Sequence, residues 1–180
     1  MPRRQILLDA CVAINLAATD SLEEIAGTLQ MTFGMVQQAE AEAGHLRDIV
    51  EGELVHAPLN LRQFALGEAL DLLELVPSEF ALYLELAAIV DDGEAATIAV
   101  AIQRDLEIAT DDRRARRLCQ ERHLAEPVRT VALLHSFADA AELSGDQVRD
   151  MITKVRDRAS FLPPRADPDL KWWNDHISGV

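Results

Sequence analysis

The chain has 180 residues, enough for one well-buried core and too few for two ordinary domains. With 49% apolar and 27% charged residues it has the make-up of a globular protein; no apolar run reaches membrane-span length, and Asp9 interrupts the basic start MPRRQILLDAC before a signal peptide can form, so a cytoplasmic protein with no membrane partner is expected. A net charge of −14 argues against a protein that merely coats nucleic acid, since phosphate neutralisation needs cations; it leaves room for acids gathered around bound cations, or for a surface that meets a basic protein.

The first predicted strand is Gln5-Ile6-Leu7-Leu8, apolar on both faces and ending at Asp9. Residues 11–20 read as a short helix and 21–30 as another, opened by Ser21 and Glu24 at capping-box spacing. MTFGMV (31–36) reads as a second strand, and 37–52 as one helix closed by Gly52. From Glu53 to Leu61 a short strand and an extended loop bounded by Pro58 both fit. A short helix over 61–70 leads to the strand DLLELV (71–76), stopped by Pro77. Helices follow over 77–90, opened by Pro, Ser and Glu, and over the almost wholly apolar 91–105. LEIAT (106–110) is the next strand, 111–123 a helix, and VRTV (128–131) the last strand. Two further helices span 131–143 and 144–161; the tail from Pro163 loses its helical pattern, with Trp172 and Trp173 placed to pin it.

Alternating strands and helices predict a mainly parallel sheet with crossover helices, and ligands in such sheets bind beyond the carboxyl ends of the strands. Two strands end on acids, at Asp9 and at Asp111-Asp112, so those acids are expected on one sheet edge. Glu42 falls inside the apolar stripe of Ala39, Leu46, Ile49 and Val50 on the predicted helix, where a carboxylate needs a partner or a metal. Glu94 sits in the first turn of an apolar helix, with Asp91 and Asp92 beside it. Each has an ordinary alternative: Asp9 or one of Asp111 and Asp112 as a helix cap, Glu42 paired with a buried arginine, Glu94 as first-turn charge. Together they would repel one another unless cations intervened. Mg²⁺ or Mn²⁺ suits an open nest of oxygen ligands, and such a site supports phosphodiester hydrolysis.

On these residues the chain resembles the PIN-domain family. QILLDACVAINLA resembles its opening strand and first acid, Asp9, followed within two positions by Cys11. QQAEAEAGHLRD is similar to the second motif, selecting Ala39 and Glu42; DDGEAATIAVAIQRDL to the third, selecting Glu94; and EIATDDRRARRL to the fourth, giving Thr110 and Asp112. The motifs run in the family's order between Gln5 and Val131, with Ala10 standing where many members carry Ser or Thr. The resemblance implies a PIN-like three-layer α/β/α sandwich over residues 1–135, with 136–180 a helical extension packed on the same domain. It implies a metal-dependent endoribonuclease leaving a 5′-phosphate and a 3′-hydroxyl, often the toxin of a VapBC-like pair with an antitoxin protein and often a homodimer. Asp9, Glu42, Glu94 and Asp112 would be catalytic and would bind Mg²⁺ or Mn²⁺, with Asp111 able to substitute as a ligand and Thr110 orienting the carboxylates. Arg113, Arg116 and Arg117, directly after the last acids, are candidates for RNA phosphates, or for a solvated face that balances an acidic chain.

A second reading is a PIN-like fold that docks a protein and cleaves weakly or not at all, motivated by the acidic surface and the Trp172-Trp173 tail. A response-regulator receiver lacks its lysine in VRTVALLH, a haloacid-dehalogenase-type phosphatase would need Asp where Cys11 stands, and no GxxxxGK loop is present. Cys11 and Cys119 are far apart without CxxC spacing and are expected as small apolar residues; the five histidines have no ligand spacing.

Overall fold

The computed structural model describes residues 4–50, 53–67 and 69–178. Over these residues the order is β1 (Arg4–Leu8), α1 (Ala10–Ala18), α2 (Leu22–Thr28), β2 (Met31–Val36), α3 (Gln37–Glu42), β3 (His45–Val50), β4 (Glu53–Pro58), α4 (Arg62–Leu66) and β5 (Leu70–Leu73). Then come α5 (Phe80–Ala87), α6 (Asp92–Arg104), β6 (Glu107–Ala109), α7 (Arg113–Glu121), α8 (Thr130–Ala140), α9 (Gly145–Arg158) and α10 (Leu170–Ile177).

β1 carries Ile6, Leu7 and Leu8, all fully buried. Successive strand residues point to opposite faces, so both faces of the sheet are covered, as a parallel sheet requires. Four parallel strands run in the order β5-β2-β1-β6. The chain steps outward from β1 to β2 to β5 and then returns to the other side of β1. Right-handed crossovers put the two sets of connecting helices on opposite faces, consistent with a three-layer sandwich. The direction of winding reverses between β1 and β6, so the crevice between their carboxyl ends is the switch point where such sheets hold ligands. Leu134 and Phe137 of α8, Ile152 and Val155 of α9 and Trp173 of α10 belong to the same core as the strands. No helix among the described residues is long and apolar enough to cross a membrane.

Four local expectations are corrected. The helix expected over 37–52 ends at Glu42, and His45–Val50 instead pairs antiparallel with Glu53–Pro58 in a two-stranded hairpin; the predicted stop at Gly52 lies outside the described residues. Ala43 leaves the helix at ψ 87°, and the β-branched pair Ile49-Val50 favours the strand. VRTV is no strand: Val128 makes one parallel bridge to Ala109, and Thr130 already opens α8. The tail after Pro163 regains a helix, α10, which buries Trp173 edge-on against Phe161. Ser21 forms no capping box with Glu24, because Thr19 Oγ1 accepts the Ser21 N–H instead; the capping box found among the described residues is Ser144 with Gln147 at the head of α9.

Candidate functional site

Asp9 stands one residue past β1 and caps α1, its Oδ1 accepting from Ala10 N at 2.7 Å. Its Oδ2 accepts from the Thr110 hydroxyl at 2.8 Å and from Cys11 Sγ at 3.0 Å. Burial, then the charge of Asp9, pushes the Cys11 thiol far up, so it stays protonated and donates. Thr110 lies just past β6, is fully enclosed, and also accepts from Asp112 N at 3.1 Å. One hydroxyl therefore ties the first acid to the loop that carries the last. Asp112 itself is exposed and caps α7, its Oδ1 accepting from Arg114 N and Ala115 N at 2.6 and 2.9 Å, while Oδ2 stays unbonded among the described residues.

Glu42 is the last residue of α3, and its Oε1 accepts from Gly93 N at 2.8 Å in the first turn of α6. It does the capping that Asp91, the residue at the cap position, does not do with its own side chain. A Cβ on Gly93 would lie 2.5 Å from Glu42 Oε2 and 2.9 Å from the Ala39 Cα, so α3 and α6 meet this closely only because residue 93 has no side chain. Glu94, the next residue, makes no side-chain hydrogen bond among the described residues and lines a small crevice with Asp9, Thr97 and Thr110. Glu42 lies on no inward stripe beyond Ala39, since Leu46, Ile49 and Val50 are on β3; it is exposed at the end of α3, from where its charge is felt by Asp9 and the head of α6.

Neither a protein-family model nor a curated protein matches this chain.

The structure separates Asp111 from the other acids. Its Oδ1 accepts from Thr130 N at 3.1 Å, and its Oδ2 accepts from the Thr130 hydroxyl at 2.5 Å and from Asn15 Nδ2 at 3.3 Å. Both oxygens are spent docking the head of α8 onto α1, although burial still raises the carboxyl above its usual range. Arg116 is corrected as an RNA contact: it is 7% exposed and donates to the carbonyls of Thr110 and Pro127 and to Glu126, holding the β6–α7 loop in place. Arg113, Arg114 and Arg117 are exposed and have no ion-pair partner among the described residues. Thr130 and Gly93 were missed as site residues, and Cys11 was expected only as a small apolar residue beside the first acid; Asn15 alone could be read from the sequence as a partner that orients the carboxylates. An asparagine between Val12 and Leu16 on an otherwise apolar helix was the one legible signal, because a buried amide must be bonded to something.

The acids sense one another. Burial, then the charges of Asp112, Asp9, Asp91 and Glu42, pushes Glu94 up to about 7. Glu42 is raised by partial desolvation and by Asp9, Asp91 and Asp92, against the lowering bond from Gly93. No arginine, lysine or histidine among the described residues pairs with Asp9, Glu42, Glu94 or Asp112. Yet, among the described residues, no three His, Cys, Asp or Glu side chains stand close enough together to hold one metal ion. Three of the four acids already accept from backbone N–H groups at the head of a helix.

The raised Glu94 makes folding proton-linked. Folded, the group keeps its proton up to about 7; unfolded, it releases it near 4.5, so folding takes up a proton in between. Stability in the absence of metal is expected to fall as pH rises through that window and to level off above it. Glu94→Gln should visibly flatten the profile of melting temperature against pH over this range. An unchanged slope would remove Glu94 from the acidic group.

Proposed function

We propose that this chain is a PIN-type, Mg²⁺- or Mn²⁺-dependent endoribonuclease. The observation that carries the reading is that acids from four separate segments, after β1, at the end of α3, at the head of α6 and before α7, come within electrostatic reach of one another near the switch point of a parallel sheet, with Glu94 pushed up to about 7 and no cation among the described residues paired to any of them. The donor chemistry suits a hard divalent ion, since each of these acids offers carboxylate oxygens and the unbalanced charge is what such an ion relieves; sharing one ion would draw the side chains closer together than they stand. Glu94, with both oxygens unbonded among the described residues, and the oxygens of Asp112 and Glu42 likewise unbonded there would hold it together with Asp9. A bound ion would lower the pKa of water and stabilise charge on the phosphate.

The chain's own residues do the rest. Thr110 and Cys11 fix the orientation of Asp9, as partners of ligands commonly do. Gly93 lets the Glu42 carboxylate sit against the first turn of α6. Arg113 and Arg117, exposed beside Asp112, would take flanking RNA phosphates. Phe80, Leu84 and Ile89, unusually exposed in and after α5, offer an apolar surface for a second copy or an antitoxin, the homodimer and toxin–antitoxin setting being proposals of the same reading.

The test is cleavage of single-stranded RNA with Mn²⁺ by the wild type, by Glu42→Gln and by an EDTA-treated sample. Wild type alone should cut; equal cutting by Glu42→Gln would remove Glu42 from the site.

A second reading, a weakly catalytic or inactive PIN-like protein-binding module, has its own observation. Asp9, Glu42 and Asp112 each already cap a helix, which gives them work without any metal. Failure to take up Mn²⁺ would favour it.

A further inference from the structure

A groove of about 210 Å³ runs beside the acid group, between α1 and the turn that follows α9. It is lined by Cys11, Ile14, Asn15, Asp111, Ser160 and Phe161, together with Ala159. Cys11 is the same residue that donates to Asp9 at 3.0 Å, so the groove opens next to the first acid. Its far wall belongs to the C-terminal extension. Ser160 turns the chain out of α9 with φ 58°, and Phe161 is held by the buried Trp173, ring edge to ring face at 5.7 Å between centroids.

The groove floor carries an unspent acceptor. Asn15 is 4% exposed, and its Nδ2 donates to Asp111 and to Thr130 Oγ1. The Asp111 carboxylate accepts only, which fixes the amide with its nitrogen toward Asp111 and leaves Oδ1 without a partner among the described residues. Among those residues the only side-chain oxygen or nitrogen sealed away unpaired is Gln38 Oε1. Asn15 Oδ1 therefore opens onto the groove it lines. The Ser160 hydroxyl is exposed at the opposite wall and makes no hydrogen bond among the described residues.

We infer that this groove is a nucleobase subsite that takes an unstacked base bearing an exocyclic amino group. Ile14 and Phe161 supply flat apolar contact for a ring, and Asn15 Oδ1 accepts from the amino group with the Asp111 carboxylate beside it. Adenine and cytosine offer such a donor at the edge. Uracil offers one N–H flanked by two carbonyls, which would set an acceptor against Asn15 or Asp111. Single-stranded RNA presents bases in this splayed form; a duplex does not. The inference deepens, and for its place along the strand rests on, the reading of the acids as an RNA-cleaving centre.

Binding is measurable without cleavage. The full chain in EDTA is titrated with adenosine, cytidine and uridine, which carry no phosphate for the acids to repel, and followed by ¹H–¹⁵N NMR. Adenosine and cytidine should move the Asn15 side-chain amide and the backbone amides of Ile14, Ser160 and Phe161, with uridine at least about tenfold weaker. Ile14→Trp, which fills the groove, should abolish the response. Ser160→Gly, which removes the hydroxyl and relieves the left-handed turn, should weaken it with the fold intact, and it decides the matter if Ile14→Trp does not fold. Equal response to uridine, no movement at these residues, or an unaltered response in both variants overturns the subsite. Nucleoside binding here in a protein that fails to cut RNA would sink the nuclease reading alone; RNA cutting with silent groove residues would sink the subsite alone.

Discussion

Asp9→Asn is expected to lower Mn²⁺-dependent cleavage of single-stranded RNA at least about 100-fold, the scale on which metal affinity and activity fall when a site's supporting contacts are lost. Its stability should change by less than about 1 kcal/mol, because Asn caps helices nearly as well as Asp and can keep the bond from Ala10 N. The two outcomes separate chemistry from architecture. Asn at this position turns an amide nitrogen or a neutral oxygen toward Thr110 Oγ1, which can rotate to accept, so the local network survives in altered form. Only the charge is lost. Initial rates and thermal melts on the same preparation decide the point: near-wild-type cutting by a folded Asp9→Asn protein would leave Asp9 with its capping role only.

Gly93→Ala is expected to destabilise the fold by about 1–3 kcal/mol, the usual cost of forcing a methyl into filled space, and to reduce cleavage by at least about tenfold through displacement of Glu42. The added Cβ would lie 2.5 Å from Glu42 Oε2, 2.8 Å from its Cδ and 2.9 Å from the Ala39 Cα. The carboxylate can swing away, but the backbone of α3 cannot, so part of the cost stays whatever Glu42 does. Swinging away also strips Gly93 N of its acceptor and leaves the head of α6 uncapped, since Asp91 does not reach it. Intrinsic helix propensity acts the other way, favouring Ala over Gly by up to about 1 kcal/mol. A chemical melt therefore reads the balance: a more stable Gly93→Ala protein would mean that α3 and α6 separate without cost and that their close approach does not position Glu42.

The sequence exposed those parts of this architecture in which a short-range pattern and a long-range role coincide. Ile6-Leu7-Leu8 is apolar on both faces because the sheet is covered on both, and the acid after it is legible because a strand cannot easily bury Asp9 mid-run. The segment 37–52 misled because its hairpin lies largely in solvent. Leu46 is the buried side chain of that hairpin among those described, so no alternating pattern announces a strand, while the Ala- and Glu-rich start announces a helix. The short gap around Gly52 between two strand-length runs was the overlooked sign. The apolar stripe that singles out Glu42 in the sequence does not exist in space; its position follows from a contact with Gly93, 51 residues away, which no local period encodes. Asp111 and Asp112 are neighbours with opposite fates. One is consumed by Thr130 and Asn15 from distant helices, and the other caps the helix it begins, so only tertiary contacts tell them apart. Arg116 differs from Arg113 and Arg117 for the same kind of reason, since its turn of α7 faces the loop carbonyls it bonds. In α10, Leu170, Trp173 and Ile177 have helical spacing, but the two prolines at 163 and 164 masked the restart that comes after them.

The measurement that bears most directly on the whole reading is a calorimetric titration of the metal-free protein with Mn²⁺, repeated on Asp9→Asn and Glu94→Gln. Shared ligation predicts that the wild type takes up the ion, that heat and affinity drop in each variant, and that wild-type affinity weakens as pH is lowered through about 7, where Glu94 gains its proton. A wild-type protein that takes up no Mn²⁺, or variants that bind it as tightly as the wild type, would mean that these carboxylates are helix caps lying near one another and nothing more.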